Sequence, residues 1–364
     1  MTDQEYELGF AKSMDEFHSS NDPKSQVNAL ENAIRLADAS GDLENAFDAR
    51  LELVRCGTFS GYQDKAMVAF SWCLAQSDKD PERFNPNLLL WKYKWILGNV
   101  YCYPQVKREK IFQLQDDFES RLLTNGYTLN SVLCLRWKVA MRMGDFERAK
   151  EYYAKWKEVP RDSLSDCKAC VQNSVCAYLG LIGNYKESAE AAVKLLDGQM
   201  VCSVIPQFTY GHMVPTFLRL GRVEELKQNQ SKWYKSVKDG QNYITPVSKM
   251  MMLAVAFEQN SKAISMFERH APWAAESTSV YEQFMFFSAA AASFKLMADS
   301  ETSIRLTVPD SFDFKRNDDE YQCTELAQWF HARATLLADQ FNQRNGNDYF
   351  SKLIANDESL VHCC

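Results

Sequence analysis

The chain's sharpest chemical feature is Cys167-x-x-Cys170, with a further thiol at Cys202. The pair follows Pro160, and Cys202 precedes Pro206 in what reads as the next equivalent turn. Stacked turns bring such positions to one edge, where three thiolates could supply three corners of a structural zinc site. A redox dithiol and ordinary reduced cysteines are the two other readings of the same residues. The fourth corner is the weak point of the zinc reading. His212 lies ten residues beyond Cys202, about 15 Å away along one helix, and Cys176 is nearly two turns past Cys170.

Other chemistry is sparse. The histidines (His18, His212, His270, His331 and His362) have no HExxH or HxH spacing, and no GxSxG, GxGxxG or Walker-type loop occurs. Asn317-Asp-Asp-Glu320 offers oxygens but lacks the spacing and glycine of a calcium loop. With no catalytic constellation, the expectation is a protein that is not an enzyme. The end, His362-Cys363-Cys364, resembles the double-cysteine terminus prenylated on some small GTPases, without the basic residues that usually reinforce such anchors.

The elements that hold these residues read as helices. The 364 residues are 46% apolar, with only 14 glycines and 10 prolines, too few for the frequent turns of an all-β chain. Met250–Phe257 and Phe284–Phe294, the longest nearly apolar runs, fall far short of a membrane span, and the acidic start lacks a secretory pattern. Eleven cysteines scattered through helix interiors point to reduced thiols in the cytoplasm. A net charge of −7 argues against nucleic acid as the main ligand, and the apolar runs argue against a membrane partner.

One pattern recurs. A helix ends at a glycine, a small residue follows five positions on, and a bulky apolar residue follows four later. Copies are Gly61…Ala66…Phe70 and Gly144-Asp-Phe…Ala149…Tyr153, with weaker ones at Gly183-Asn-Tyr and Gly221, and a degenerate one at Ala263 and Phe267. Turns are expected near 61, 98, 144, 183, 221, 258, 298 and 346, at spacings longer than the 34 residues of the standard repeat. Glycine permits the left-handed turn, and the small residue allows close helix approach.

Gly-Asp-Phe or Gly-Asn-Tyr followed by Ala and Tyr/Phe resembles the tetratricopeptide (TPR) signature. Val68–Phe84, Leu90–Trp95 and Pro160–Cys170 are also similar to segments of a group of bacterial TPR proteins that carry no assigned activity. The resemblance implies an all-α, right-handed superhelical solenoid of seven to eight hairpins. The TPR-like array with its capping helices would cover residues 1–306. After the helix-breaking stretch Thr307–Asp319, a C-terminal hairpin (320–364) would continue the same solenoid.

It also implies a function. In TPR arrays the ninth residue of each first helix faces the groove, which here selects Arg55, Lys92 and Lys138, with Trp95 and Arg142 about one turn further on. Three cations in line would suit another protein or an acidic peptide, so the expectation is a non-catalytic protein- or peptide-binding scaffold. A regulatory sensor that binds a peptide or small ligand and acts on a second protein is the alternative. A zinc-dependent or transferase-type enzyme is a third reading, and pairing of the cations with neighbouring carboxylates is the plain structural one. No cofactor is implied beyond structural zinc at Cys167, Cys170 and Cys202.

Overall fold

Glycines in the left-handed region close most of the anticipated turns: Gly41, Gly61, Gly144, Gly183, Gly221 and Gly346 all have φ between 68° and 86°. The structure, a computed structural model, describes residues 2–362, so the expectation on Cys363 and Cys364 lies outside the described residues. The architecture is all-α. Among the described residues there are seventeen α-helices and one antiparallel ribbon of two three-residue strands.

Two compact units divide the chain. The first comprises residues 1–100, 109–135 and 159–164, and the second residues 101–108, 136–158 and 165–364. In the first unit, α1 (Asp3–Ser19), α2 (Pro23–Ser40), α3 (Leu43–Phe59), α4 (Gln63–Lys79) and α5 (Asn87–Asn99) pack in succession. Most of α6 (Arg108–Thr124) and the start of α7 (Asn130–Arg142) complete it. Local chemistry sets the boundaries. Asp22 accepts from the Ser25 N–H at 2.8 Å ahead of Pro23, which lacks the donor that a first helical residue would leave unpaired. Ala66 is fully buried near Gly57, as the small-residue position requires.

One expected turn is corrected. Gly98 lies inside α5, which runs on into a single 3-10 turn at Val100–Cys102. The reversal falls at residues 103–107, and an unanticipated turn at Gly126 (φ 75°) joins α6 to α7.

The second unit holds the end of α7, then α8 (Phe146–Glu158), α9 (Lys168–Leu181), α10 (Tyr185–Leu196), α11 (Gln207–Arg219) and α12 (Val223–Val237). It continues through α13 (Ile244–Ala256), α14 (Asn260–Glu276) and α15 (Val280–Met297), with Glu258 in place of glycine at the left-handed turn before α14. The strands β1 (Ser303–Arg305) and β2 (Glu320–Gln322) bracket the helix-breaking stretch, with Ile304 opposite Tyr321. The final hairpin is α16 (Cys323–Asn345) and α17 (Tyr349–Leu360).

That hairpin packs back onto earlier helices. α17 contacts α11 and α15. Arg344 donates to the Tyr101 and Tyr103 carbonyls at 2.9 and 3.3 Å, and Asn347 donates to the Met143 carbonyl at 2.9 Å. Gly144 is doubly constrained: it has positive φ, and a Cβ there would lie 2.3 Å from Tyr349 Cβ. The core beneath is aromatic, with Phe341 and Phe350 stacked at 4.2 Å; burying each such ring contributes roughly 1.5–3 kcal/mol. No helix among the described residues is long and apolar enough to cross a membrane.

Candidate functional site

Two clusters in the second unit carry chemistry. The first is the thiol cluster. Cys167 is the N-cap of α9, its sulfur accepting the Cys170 N–H at 3.3 Å, so the x-x spacing places both sulfurs on the opening turn. Cys202 sits in the α10–α11 loop, fixed by backbone bonds to Ile205 in both directions (3.1 and 3.4 Å). The Cys170 and Cys202 sulfurs are 3.3 Å apart, and all three lie within 4.8 Å of one another. Among the described residues this is the only group of three or more potential ligands that could hold a metal, and His212, Cys176 and Asn317–Glu320 lie outside it.

Cys167 is exposed, and the other two are half-buried. Burial works against ionising Cys167, but hydrogen bonds from the Cys170 N–H, the two neighbouring thiols and the Ala169 N–H outweigh it and hold its pKa below the usual thiol value. Burial, reinforced by the adjacent sulfurs, pushes Cys170 up.

The second cluster is a cavity of about 410 Å³ lined by residues of α7 to α11, α13, α15 and α17. Four cations face it (Arg142, Arg219, Lys249 and Lys352) against one carboxylate, Asp357. Lys249 and Asp357 form a buried ion pair, and the second Asp357 oxygen accepts from Ser288 at 2.9 Å. Lys352 pairs with Asp348 at 2.8 Å, and Arg219 donates to Asn356 and Ser359. Among the described residues no carboxylate pairs with Arg142. Its single bond is to the Tyr281 hydroxyl at 3.4 Å, and Tyr349 lines the wall beside it.

Neither family models nor curated proteins match the chain. The cavity's character therefore rests on its own residues. His212 also lines it. Burial, then the charges of Arg142 and Lys249, lower its pKa to about 3, so the imidazole is neutral, and its Nε2 is buried without a hydrogen-bond partner. Burial likewise raises the Tyr281 and Tyr349 hydroxyls, keeping both protonated as donors. A permanently charged guanidinium, protonated phenols and a neutral imidazole therefore line the same cavity.

The expected cation stripe is distributed across the two units. Arg55, Lys92 and Trp95 belong to the first, Lys138 and Arg142 to the second. Arg55 is exposed and bound to Glu52 at 2.7 Å. Lys92 is half-buried, and Trp95 meets Phe59 edge-on with ring centres 5.0 Å apart. Lys138 is held by Asp166 at 2.5 Å. Of the five residues, Arg142 is the one that faces the cavity. The groove pattern did not select Lys249, Tyr281 or Tyr349, and His212 entered only as a distant candidate for the fourth corner of the zinc site; the one advance signal was a lysine in the largely apolar α13.

Proposed function

We propose that this chain is a non-catalytic, TPR-like recognition protein of the cytoplasm whose second unit binds the carboxylate of an acidic peptide or partner protein around Arg142. The observation that carries the reading is an arginine facing a cavity with no counter-ion among the described residues, in a protein of net charge −7. Arg55 and Lys138 already hold carboxylates, so a ligand there would first displace them. At Arg142 nothing is displaced. A charge-assisted hydrogen bond in such a site contributes about 1.5–3 kcal/mol. A non-catalytic role fits the same residues: both Asp357 oxygens are engaged, and among the described residues no hydrogen-bonded carboxylate orients His212 as a base. The cavity volume of about 410 Å³ favours a second reading as well, a sensor that takes a free small carboxylate and passes the change to another protein.

Calorimetry with a peptide ending in a free acidic carboxylate, its C-terminal amide and a small dicarboxylate tests both readings. The free-acid peptide is expected to bind, with affinity falling as salt rises. Arg142→Met is expected to weaken it roughly 10–100-fold, whereas Lys92→Glu with Lys138→Glu leaves it close to wild type. Unchanged affinity in Arg142→Met, or loss confined to the double variant, removes the cavity as the site. Binding of the dicarboxylate but not the peptide selects the sensor.

A further inference from the structure

We propose that Cys167, Cys170 and Cys202 form a zinc site with three protein thiolates and an open fourth position, which clamps the α10–α11 loop to the N-terminus of α9. Tetrahedral bonds of about 2.3 Å place sulfurs about 3.8 Å apart. The cluster lies close to that value, with one pair at 3.3 Å and all three within 4.8 Å. Adjustments of well under 1 Å per side chain would close it round an ion. Three thiolates also set the class of metal, since soft sulfur ligands select zinc or copper(I) over magnesium or calcium.

The surroundings suit an anionic centre. Three thiolates round a divalent zinc leave one net negative charge, and it would sit at the first turn of α9, where backbone N–H groups point outward and the helix dipole favours anions. The Cys170 N–H already reaches the Cys167 sulfur at 3.3 Å, the kind of second bond that orients and stabilises a metal-bound ligand. Cys202 is presented by a tight backbone turn rather than by a free loop. No described histidine, cysteine or carboxylate reaches the fourth corner. Cys167 is exposed, so that corner opens to solvent and takes water or an external donor. The clamp would close the hairpin of α9 and α10 at its open end.

The test uses the full chain, reduced and demetallated, then titrated with Zn2+ against a chromophoric chelator and with Co2+ as a spectroscopic probe. One equivalent of metal, a thiolate-to-cobalt charge-transfer band, and three thiols withdrawn from thiol reagents are expected. Cys202→Ser should weaken the metal roughly 100-fold or more, while Cys176→Ala, a buried cysteine outside the cluster, keeps it. Should Cys202→Ser not fold, Cys167→Ser replaces an exposed side chain and carries the same expectation. Absence of the cobalt band overturns the proposal. So does equal zinc affinity in wild type and Cys167→Ser, or a Cys170–Cys202 disulfide whose reduction yields no metal binding.

Discussion

The first unit contains a cavity of about 520 Å³ between α2, α3 and α4, and its charges are arranged in the opposite way to those around Arg142. Three cations (Arg35, Arg50, Lys65) face three carboxylates (Glu31, Asp38, Asp64). Arg50 donates to both Asp38 oxygens at 2.9 and 2.7 Å, and Lys65 meets Glu31 at 2.6 Å. The second unit's cavity pairs Lys249 with Asp357 and leaves Arg142 among tyrosines. An internally neutralised cavity spends its charges on holding helices together. On the function proposed above, one with a surplus cation would keep an interaction open for a ligand.

The largest expected effect is on the paired side of that contrast. Lys249→Met should destabilise the protein by about 3–5 kcal/mol, because Asp357 is left as a buried charge with only the Ser288 hydroxyl. Urea unfolding measures it, and adding Asp357→Asn should recover much of the loss. A cost below about 1 kcal/mol would show that the pair is solvated, and would weaken the distinction between paired and unpaired cations.

Next comes a feature the two units share. Ala66 and Ala149 are both fully buried at the small-residue position of the repeat. Leucine at either site overpacks a helix crossing, at about 1–3 kcal/mol each. Thermal melts of Ala66→Leu and Ala149→Leu check this. An unchanged melting temperature in one but not the other would mean that the repeat packs differently in the two units.

These alanines were readable in advance because glycine at positive φ and a small residue five positions on are local requirements of a helical hairpin. The thiol cluster was readable for a related reason: both loops sit at equivalent points of successive repeats. Gly98 misled because the same residue type is tolerated inside α5, where nothing demands positive φ. The cavity could not be read. It depends on Tyr349 and Asp357 returning to α7, α11 and α13 across more than a hundred residues, a pairing fixed by packing at Gly144 and by Arg344 rather than by any periodic pattern.

A smaller effect separates the units by pH. Glu282, near the start of α15 in the second unit, has its pKa raised by burial to about 7 despite the hydrogen bond from Ser277 at 2.9 Å. A carboxyl with a folded pKa above its unfolded value near 4.5 contributes stability that is complete at low pH. That contribution is lost as pH rises through the folded value. Glu282→Gln removes the loss, so the variant should match wild type at pH 4 and exceed it by about 1–2 kcal/mol at pH 8. Denaturant midpoints across that range decide it, and a gap that instead widens toward low pH would refute the sign.

The smallest expected change in stability belongs to Arg142→Met, and its smallness is the point. Among the described residues Arg142 holds one long hydrogen bond to Tyr281 and no carboxylate, so its charge is only partly compensated where it stands. Methionine keeps an apolar stem of similar reach against the same tyrosine walls. Removing a poorly compensated cation relieves desolvation while forfeiting one weak bond, so stability should stay within about 1 kcal/mol of wild type, with a shift toward stabilisation. Arg50→Met is the matched variant in the first unit's cavity. There the cation is buried and bidentate to Asp38, and the same replacement should cost more. Measured side by side in urea, a neutral Arg142→Met and a destabilised Arg50→Met would identify Arg142 as a charge retained for a ligand rather than for the fold. Equal losses would instead make Arg142 a structural arginine solvated by its tyrosines, and the two cavities would then differ in shape alone.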